Sequence, residues 1–151
     1  LLARLTQHVE MAFSGLKVPG SLEPFTNLEI EHILPNKPED DLRAKWATEN
    51  PGMVYDDYKN RLGNLTLLEK PINIVAGNDF YTAKQVEYGK SGNYLTRSLV
   101  ALTDVGQNTS ISRINAKLEA FPAWNAASIE KRHAMLIALA QDVWKTTAID
   151  V

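Results

Sequence analysis

Apolar positions recur at three- and four-residue steps through Leu2, Leu5, Val9 and Phe13, which predicts a helix over 2–13 that ends before "KVPGS". The stretch "NLEIEHI", residues 27–33, alternates apolar and polar side chains and predicts a short strand. "DDLRAKWATENPG" predicts a short helix with an aspartate cap, stopped by Pro51 and Gly52. "MVYDDYKNRLG" follows as a further helical turn or two, closed by Gly63 at the C′ position. "NLTLLE", residues 64–69, is short and apolar with a β-branched threonine, and predicts a second strand. Pro71 suits the first turn of a helix that runs to Tyr88 with a kink near Gly77. "GKSG" breaks the pattern, and helices are expected over 93–103, 110–120 and 126–145. The last carries Ile129, Leu136, Leu139, Val143 and Trp144 on one side, with Asn125 as its N-cap. The fold class is mainly α with a small β-hairpin: a strand–strand–helix unit over 28–89 and a helical part over 93–146.

At 151 residues, the length fits one domain, 1–151, with one core. No run approaches the roughly 18 apolar residues of a membrane span, so no membrane association is expected. The opening "LLARLTQHVE" has neither a methionine nor a charged region before a cleavage site, and reads as part of a longer protein rather than a signal peptide. There is no cysteine, which excludes disulfides and a cysteine zinc knuckle. Any metal must then bind oxygen or imidazole nitrogen, which favours Mg²⁺ or Mn²⁺. The net charge of −2 argues against a stand-alone nucleic-acid binder. Residues 59–97 nevertheless hold six basic side chains against three acidic ones, just downstream of the acidic run Glu39, Asp40 and Asp41.

Within the strand–strand–helix unit, Glu31 and His32 end the first strand, with Pro35 three residues later. Asn64 opens the second strand, Asn73 lies nine residues further on, and Gly77-Asn78 closes the segment. Each has an ordinary explanation when taken alone. His32 would be a half-buried strand histidine and Glu31 a solvated strand residue. Asn64 would be a turn residue, Asn73 a residue bonding its own backbone, and Arg61 and Lys84 surface charges.

Together, "EHILP", "RLGNLTLL" and the nine-residue interval between Asn64 and Asn73 resemble the HNH nucleases, the ββα-metal or His-Me finger enzymes. They are most similar to the C-terminal nuclease module of modification-dependent restriction enzymes of the GmrSD and SspE type. That module also shows "F-x-x-x-K-x-x-x-Y" and "I-x-x-R … W", matched here by Phe80, Lys84 and Tyr88, then Ile129, Arg132 and Trp144. The similarity spans residues 28–145. It implies a ββα-metal motif embedded in a helical domain, with one divalent cation, Mg²⁺ or Mn²⁺, between hairpin and helix. His32 would be the general base, since an imidazole can accept a proton at neutral pH. Glu31 and Asn73 would be the metal ligands, leaving positions for waters and the phosphate. Asn64 would brace the loop after the histidine. Asn78 is the rival ligand; it lies five residues from Asn73, about 140° around a helix, so the two cannot easily face one cation. Many family members carry a basic residue three positions after the last asparagine, where this chain has Ala76. Lys84 and Arg61 are the candidates for the phosphate contact instead. The first position is Glu where Asp or His is common, so its carboxylate reaches one carbon further.

The implied activity is nicking or cutting of double-stranded DNA in the cytoplasm, in restriction and phage defence. The implied partner is an N-terminal NTPase and modification-sensing domain, in the same polypeptide or in a partner subunit. Two other functions compete with it. One is a catalytically silent DNA- or partner-binding module of the same fold; the other is an unrelated helical interaction domain, in which His32 would lie far from Asn64 and Asn73.

Overall fold

Two four-residue strands pair antiparallel in the computed structural model, which describes residues 1–145. Strand β1 is Glu29–His32 and β2 is Leu65–Leu68, in the register Glu29 to Leu68, Ile30 to Leu67, Glu31 to Thr66 and His32 to Leu65. Alternation sends Glu29 and Glu31 out on one face of β1. That face is covered, and Glu31 and Thr66 are both buried there. Residues 146–151, included in the expected domain and at the tip of its helical part, lie outside the described residues.

The helices are α1 (Leu2–Phe13), α2 (Glu23–Thr26), α3 (Asp40–Glu49), α4 (Tyr55–Lys59), α5 (Lys70–Ala76), α6 (Tyr81–Tyr88), α7 (Tyr94–Arg97), α8 (Ser110–Asn115) and α9 (Ala126–Trp144). The mainly helical class with one small hairpin is as expected. One apolar cluster gathers Ile33, Leu34, Leu42, Trp46, Leu68, Tyr88, Trp124 and Ile129 around the hairpin, α3 and α6. A second joins Leu5 and Val9 of α1 to Tyr94, Ile114, Leu136 and Leu139. Helix α9 supplies side chains to both. No helix among the described residues is long and apolar enough to cross a membrane.

Several boundaries differ from expectation for identifiable reasons. The helix expected over 71–88 is two helices, α5 and α6. Gly77 takes φ 51°, ψ −145°, a backbone that glycine alone adopts readily, so the chain leaves the helix there instead of kinking. The expected helix over 93–103 shrinks to α7. Beyond it, Tyr94 OH accepts from the Thr103 N–H at 2.9 Å and Asn115 donates to the Thr103 carbonyl at 2.8 Å, so side chains take up backbone groups a helix would need. The Asn115 amide lies at the end of α8, which stops short of residue 120.

Helix α3 starts after Glu39 with no side-chain cap; Asp40 and Asp41 lie in its first turn, where they favour the helix dipole. Asn125 does cap α9, accepting from the Ser128 N–H at 2.9 Å. Trp144, expected on the apolar side of that helix, is 50% exposed.

Candidate active site

The segment after β1 is held by side chains from two other places in the chain, Asn64 and Tyr55. Asn64, fully buried in the 3₁₀ turn Leu62–Asn64, accepts from the Leu34 N–H at 2.7 Å and donates to the Leu34 carbonyl at 2.9 Å. Its amide also donates to the Lys59 carbonyl at 2.7 Å and accepts from Trp124 Nε1 at 2.9 Å. Its own carbonyl takes the Ile33 N–H at 3.0 Å. The amide's capacity is thus full: two of its four bonds hold the loop directly after His32, and the other two tie it to Lys59 of α4 and to Trp124. Tyr55 adds a bond from its hydroxyl to the Pro35 carbonyl at 2.6 Å. An unrelated helical domain would separate His32 from Asn64; the hairpin instead brings Asn64 onto the His32 loop.

Helix α9 fixes the turn that carries Asn64. Gly63 was expected as a helix C′ residue, but α4 ends at Lys59 and Gly63 packs against α9. A Cβ there would lie 2.1 Å from the Ile129 carbonyl oxygen and 2.8 Å from the His133 nitrogen, so the glycine is required by the close approach. Arg132, fully buried, donates to the Gly63 carbonyl at 2.8 Å and the Leu65 carbonyl at 2.6 Å. Burial brings its pKa down to about 10. Its Nε and Nη2 are buried without a hydrogen-bond partner.

Glu31 is 6% exposed. Its Oε1 accepts from Lys84 Nζ at 2.6 Å and from Tyr88 OH at 2.7 Å. Lys84 also donates to the His32 carbonyl at 2.8 Å. The spacing Lys84–Tyr88 is one turn of α6, which puts both donors on one helix face. Lys84 was expected to contact phosphate from the surface. That expectation is corrected: α6 turns the side chain inward, and the ammonium is spent on Glu31 and His32. Burial lowers the Lys84 pKa against the opposing pull of Glu31, and raises that of Tyr88 well above the ordinary phenol value. The second oxygen of Glu31, Oε2, accepts no hydrogen bond from the described residues and is not sealed from solvent.

The other expected residues are placed as follows. His32 is half-buried, with Nε2 3.2 Å from Asn60 Oδ1 at the end of α4. Asn73, half-buried in α5, donates through Nδ2 to Glu29 Oε2 at 2.8 Å. Asn78 is exposed in the turn between α5 and α6, in a shallow recess with Glu39, Asp41 and Asp79. Arg61 stays at the surface, stacked 4.2 Å over the Tyr58 ring and paired with Glu130.

Sequence reasoning missed Glu29, Asn60, Tyr55 and Trp124. Glu29 had a signal, its position two residues before Glu31 on the same strand face. Trp124 had none, and it performs the bonding to Asn64 that the exposed Trp144 cannot.

An Mg²⁺ or Mn²⁺ ion asks for hard oxygen ligands, and the free oxygens of Glu31 and Asn73 are of that kind. No group of three or more His, Cys, Asp or Glu placed to hold a metal occurs among the described residues. A carboxylate–asparagine pair falls outside that residue set.

A family model described as "GmrSD restriction endonucleases, C-terminal domain" matches residues 4–139. No curated protein and no solved structure matches the chain.

Proposed function

The chain belongs to the family of GmrSD restriction endonuclease C-terminal domains, and from that premise we propose hydrolysis of DNA phosphodiester bonds with His32 as general base. Membership carries a nuclease role in restriction, with DNA as substrate. The finer assignment of roles rests on one observation above the others. Asn64 bonds both the N–H and the carbonyl of Leu34, so the backbone just after the base is held by a fully buried amide.

The contact of His32 Nε2 with Asn60 Oδ1 at 3.2 Å fits the tautomer with its proton on Nε2, which leaves the Nδ1 lone pair free. That nitrogen takes the proton of an attacking water. Glu31, clamped through Oε1, offers Oε2 to a divalent cation, and Asn73 offers Oδ1. The cation, Mg²⁺ or Mn²⁺, supplies stabilisation of charge on the phosphate and the leaving oxygen. Arg61, half-buried one residue beyond Asn60, is the phosphate contact; Lys84 serves the site from below by fixing Glu31.

The net charge of −2 gives the chain little pull toward a polyanion. Delivery to DNA therefore falls to an NTPase and modification-sensing domain, in the same polypeptide or a partner subunit. The test is nicking of supercoiled plasmid with and without Mn²⁺. Cleavage by the 151-residue chain should need the metal and disappear in His32→Ala. Equal cutting by His32→Ala would remove His32 from the chemistry.

A further inference from the structure

Glu29 leaves β1 on the same face as Glu31, about 7 Å along the strand. It is half-buried, and among the described residues no lysine or arginine pairs with it. Its hydrogen-bond partner is the amide of Asn73, 44 positions away on α5, at 2.8 Å. A bond across that separation is not the local backbone bonding that a helix-start asparagine makes by default.

The chemistry of this pair has a direction. An ionised carboxylate can only accept, so the amide that meets it must present its NH₂ group. The Asn73 oxygen is thereby turned away from Glu29, and it accepts no hydrogen bond from the described residues. Rotation of an unheld asparagine amide by a half-turn exchanges oxygen and nitrogen at nearly equal energy. An amide nitrogen carries no lone pair for a cation, so one of the two orientations cannot ligate. The carboxylate removes that orientation.

We infer that Glu29 is a positioning residue of the metal site, which latches the Asn73 amide with its oxygen available to a divalent cation. The inference rests on Glu31 and Asn73 as the ligand pair, and it gives Glu29 a part which that pair leaves open. Glu31 and Asn73 then each have one side fixed by the protein: Glu31 through Lys84 and Tyr88, Asn73 through Glu29. Support of this kind is the general way in which a ligand is held in the productive orientation.

The experiment is Mn²⁺ titration of the intact chain without DNA, following free Mn²⁺ by electron paramagnetic resonance, with unfolding midpoints measured in parallel. Glu29→Gln should weaken Mn²⁺ binding about twofold, because glutamine can offer oxygen or nitrogen and only about half of the Asn73 amides then present oxygen to the cation. Glu29→Asp remains an acceptor only and should bind more tightly than Glu29→Gln; the reverse order overturns the latch. In an Asn73→Ala background, Glu29→Gln should have no further effect. A further loss there means that Glu29 meets the cation itself, and also overturns the latch. Unchanged affinity in Glu29→Gln, with a loss in Asn73→Ala, sinks the latch and leaves the ligand pair intact. Unchanged affinity in Asn73→Ala, or no Mn²⁺ binding by the parent chain at millimolar metal, sinks the pair and the latch together.

Discussion

Lys84 and Glu31 form an ion pair at 2.6 Å with side chains 0% and 7% exposed, the ammonium lying beneath the hairpin and the carboxylate pointing down to meet it. Tyr88 joins them at the same carboxylate oxygen. Breaking such a buried pair from one side leaves a charge with nothing to balance it, an effect of about 3–5 kcal/mol, although replacing both partners can be nearly neutral. Lys84→Met is therefore expected to lower unfolding stability by about 3 kcal/mol, and Glu31→Gln added to it should restore most of the loss. Urea unfolding of the two single variants and the double variant measures this. A double variant no more stable than Lys84→Met would mean that the loss came from packing and not from the charge.

Gly63 offers a sharper steric test. Its missing Cβ would meet the Ile129 carbonyl oxygen at 2.1 Å and His133 at 2.8 and 3.0 Å, and the first two contacts are backbone atoms of α9 that cannot swing aside. Gly63→Ala must push the turn off the helix, with an expected loss of about 3 kcal/mol, at the upper end for overpacking. Gly89→Ala is the control, since the nearest atoms to a Cβ there lie at 3.6 Å in ordinary contact. It should be neutral or slightly stabilising. Equal midpoints for the two variants would refute the close approach.

What could be read from the chain beforehand follows physical range. Strands β1 and β2 and helix α9 were legible because alternation, helical spacing and the Asn125 cap are local. The bracing role expected of Asn64 came from the family resemblance alone; its bonds to Leu34 arise because one hairpin sets the turn before β2 beside the end of β1. Lys84 was not legible: a lysine in a helix reads as a surface charge, and only the packing of α6 on β1 brings it to Glu31 across 53 positions. The same holds for Glu29 and Asn73, 44 positions apart. Gly77 was visible as a weak point, but whether a glycine kinks a helix or ends it depends on its ψ, which no residue letter records. Trp124 sits between helices, without periodicity to mark it, whereas Trp144 has the right periodicity and, among the described residues, no core opposite it.

Asn64 should be among the least replaceable residues in the loop. Removing its amide strands the Leu34 N–H and carbonyl, the Lys59 carbonyl and the Trp124 indole N–H. Buried groups left unpaired amount to about 1–3 kcal/mol each, so Asn64→Ala should lose at least about 3 kcal/mol even if water rescues some of them. Asn64→Asp keeps the two acceptances but turns the two donations into contacts between oxygens, and should be no better at neutral pH. Thermal or urea unfolding decides it. An Asn64→Asp variant close to the parent would show that the two donated bonds contribute little.

Tyr81 links stability to alkaline pH with a definite sign. Its hydroxyl donates to the Phe121 carbonyl at 2.8 Å and the Leu99 carbonyl at 3.2 Å, and burial raises its pKa to about 12. In the unfolded chain the same phenol titrates near about 10. Above that pH, the unfolded state has given up a proton that the folded state keeps, so stability falls as pH rises. The contribution is complete below about pH 10 and is lost on the way through about pH 12. Tyr88 acts in the same direction, while the lowered pKa of Lys84 acts in the other, so the parent's overall slope is not diagnostic. The difference between parent and Tyr81→Phe is diagnostic, because it isolates one hydroxyl. At about pH 8 the variant should be about 1 kcal/mol less stable, for the lost hydrogen bonds. By about pH 11 that gap should narrow or reverse, since the phenylalanine has no proton to lose in either state. A gap that stays constant over this range would mean that Tyr81 ionises alike in both states and that its burial does not hold the proton.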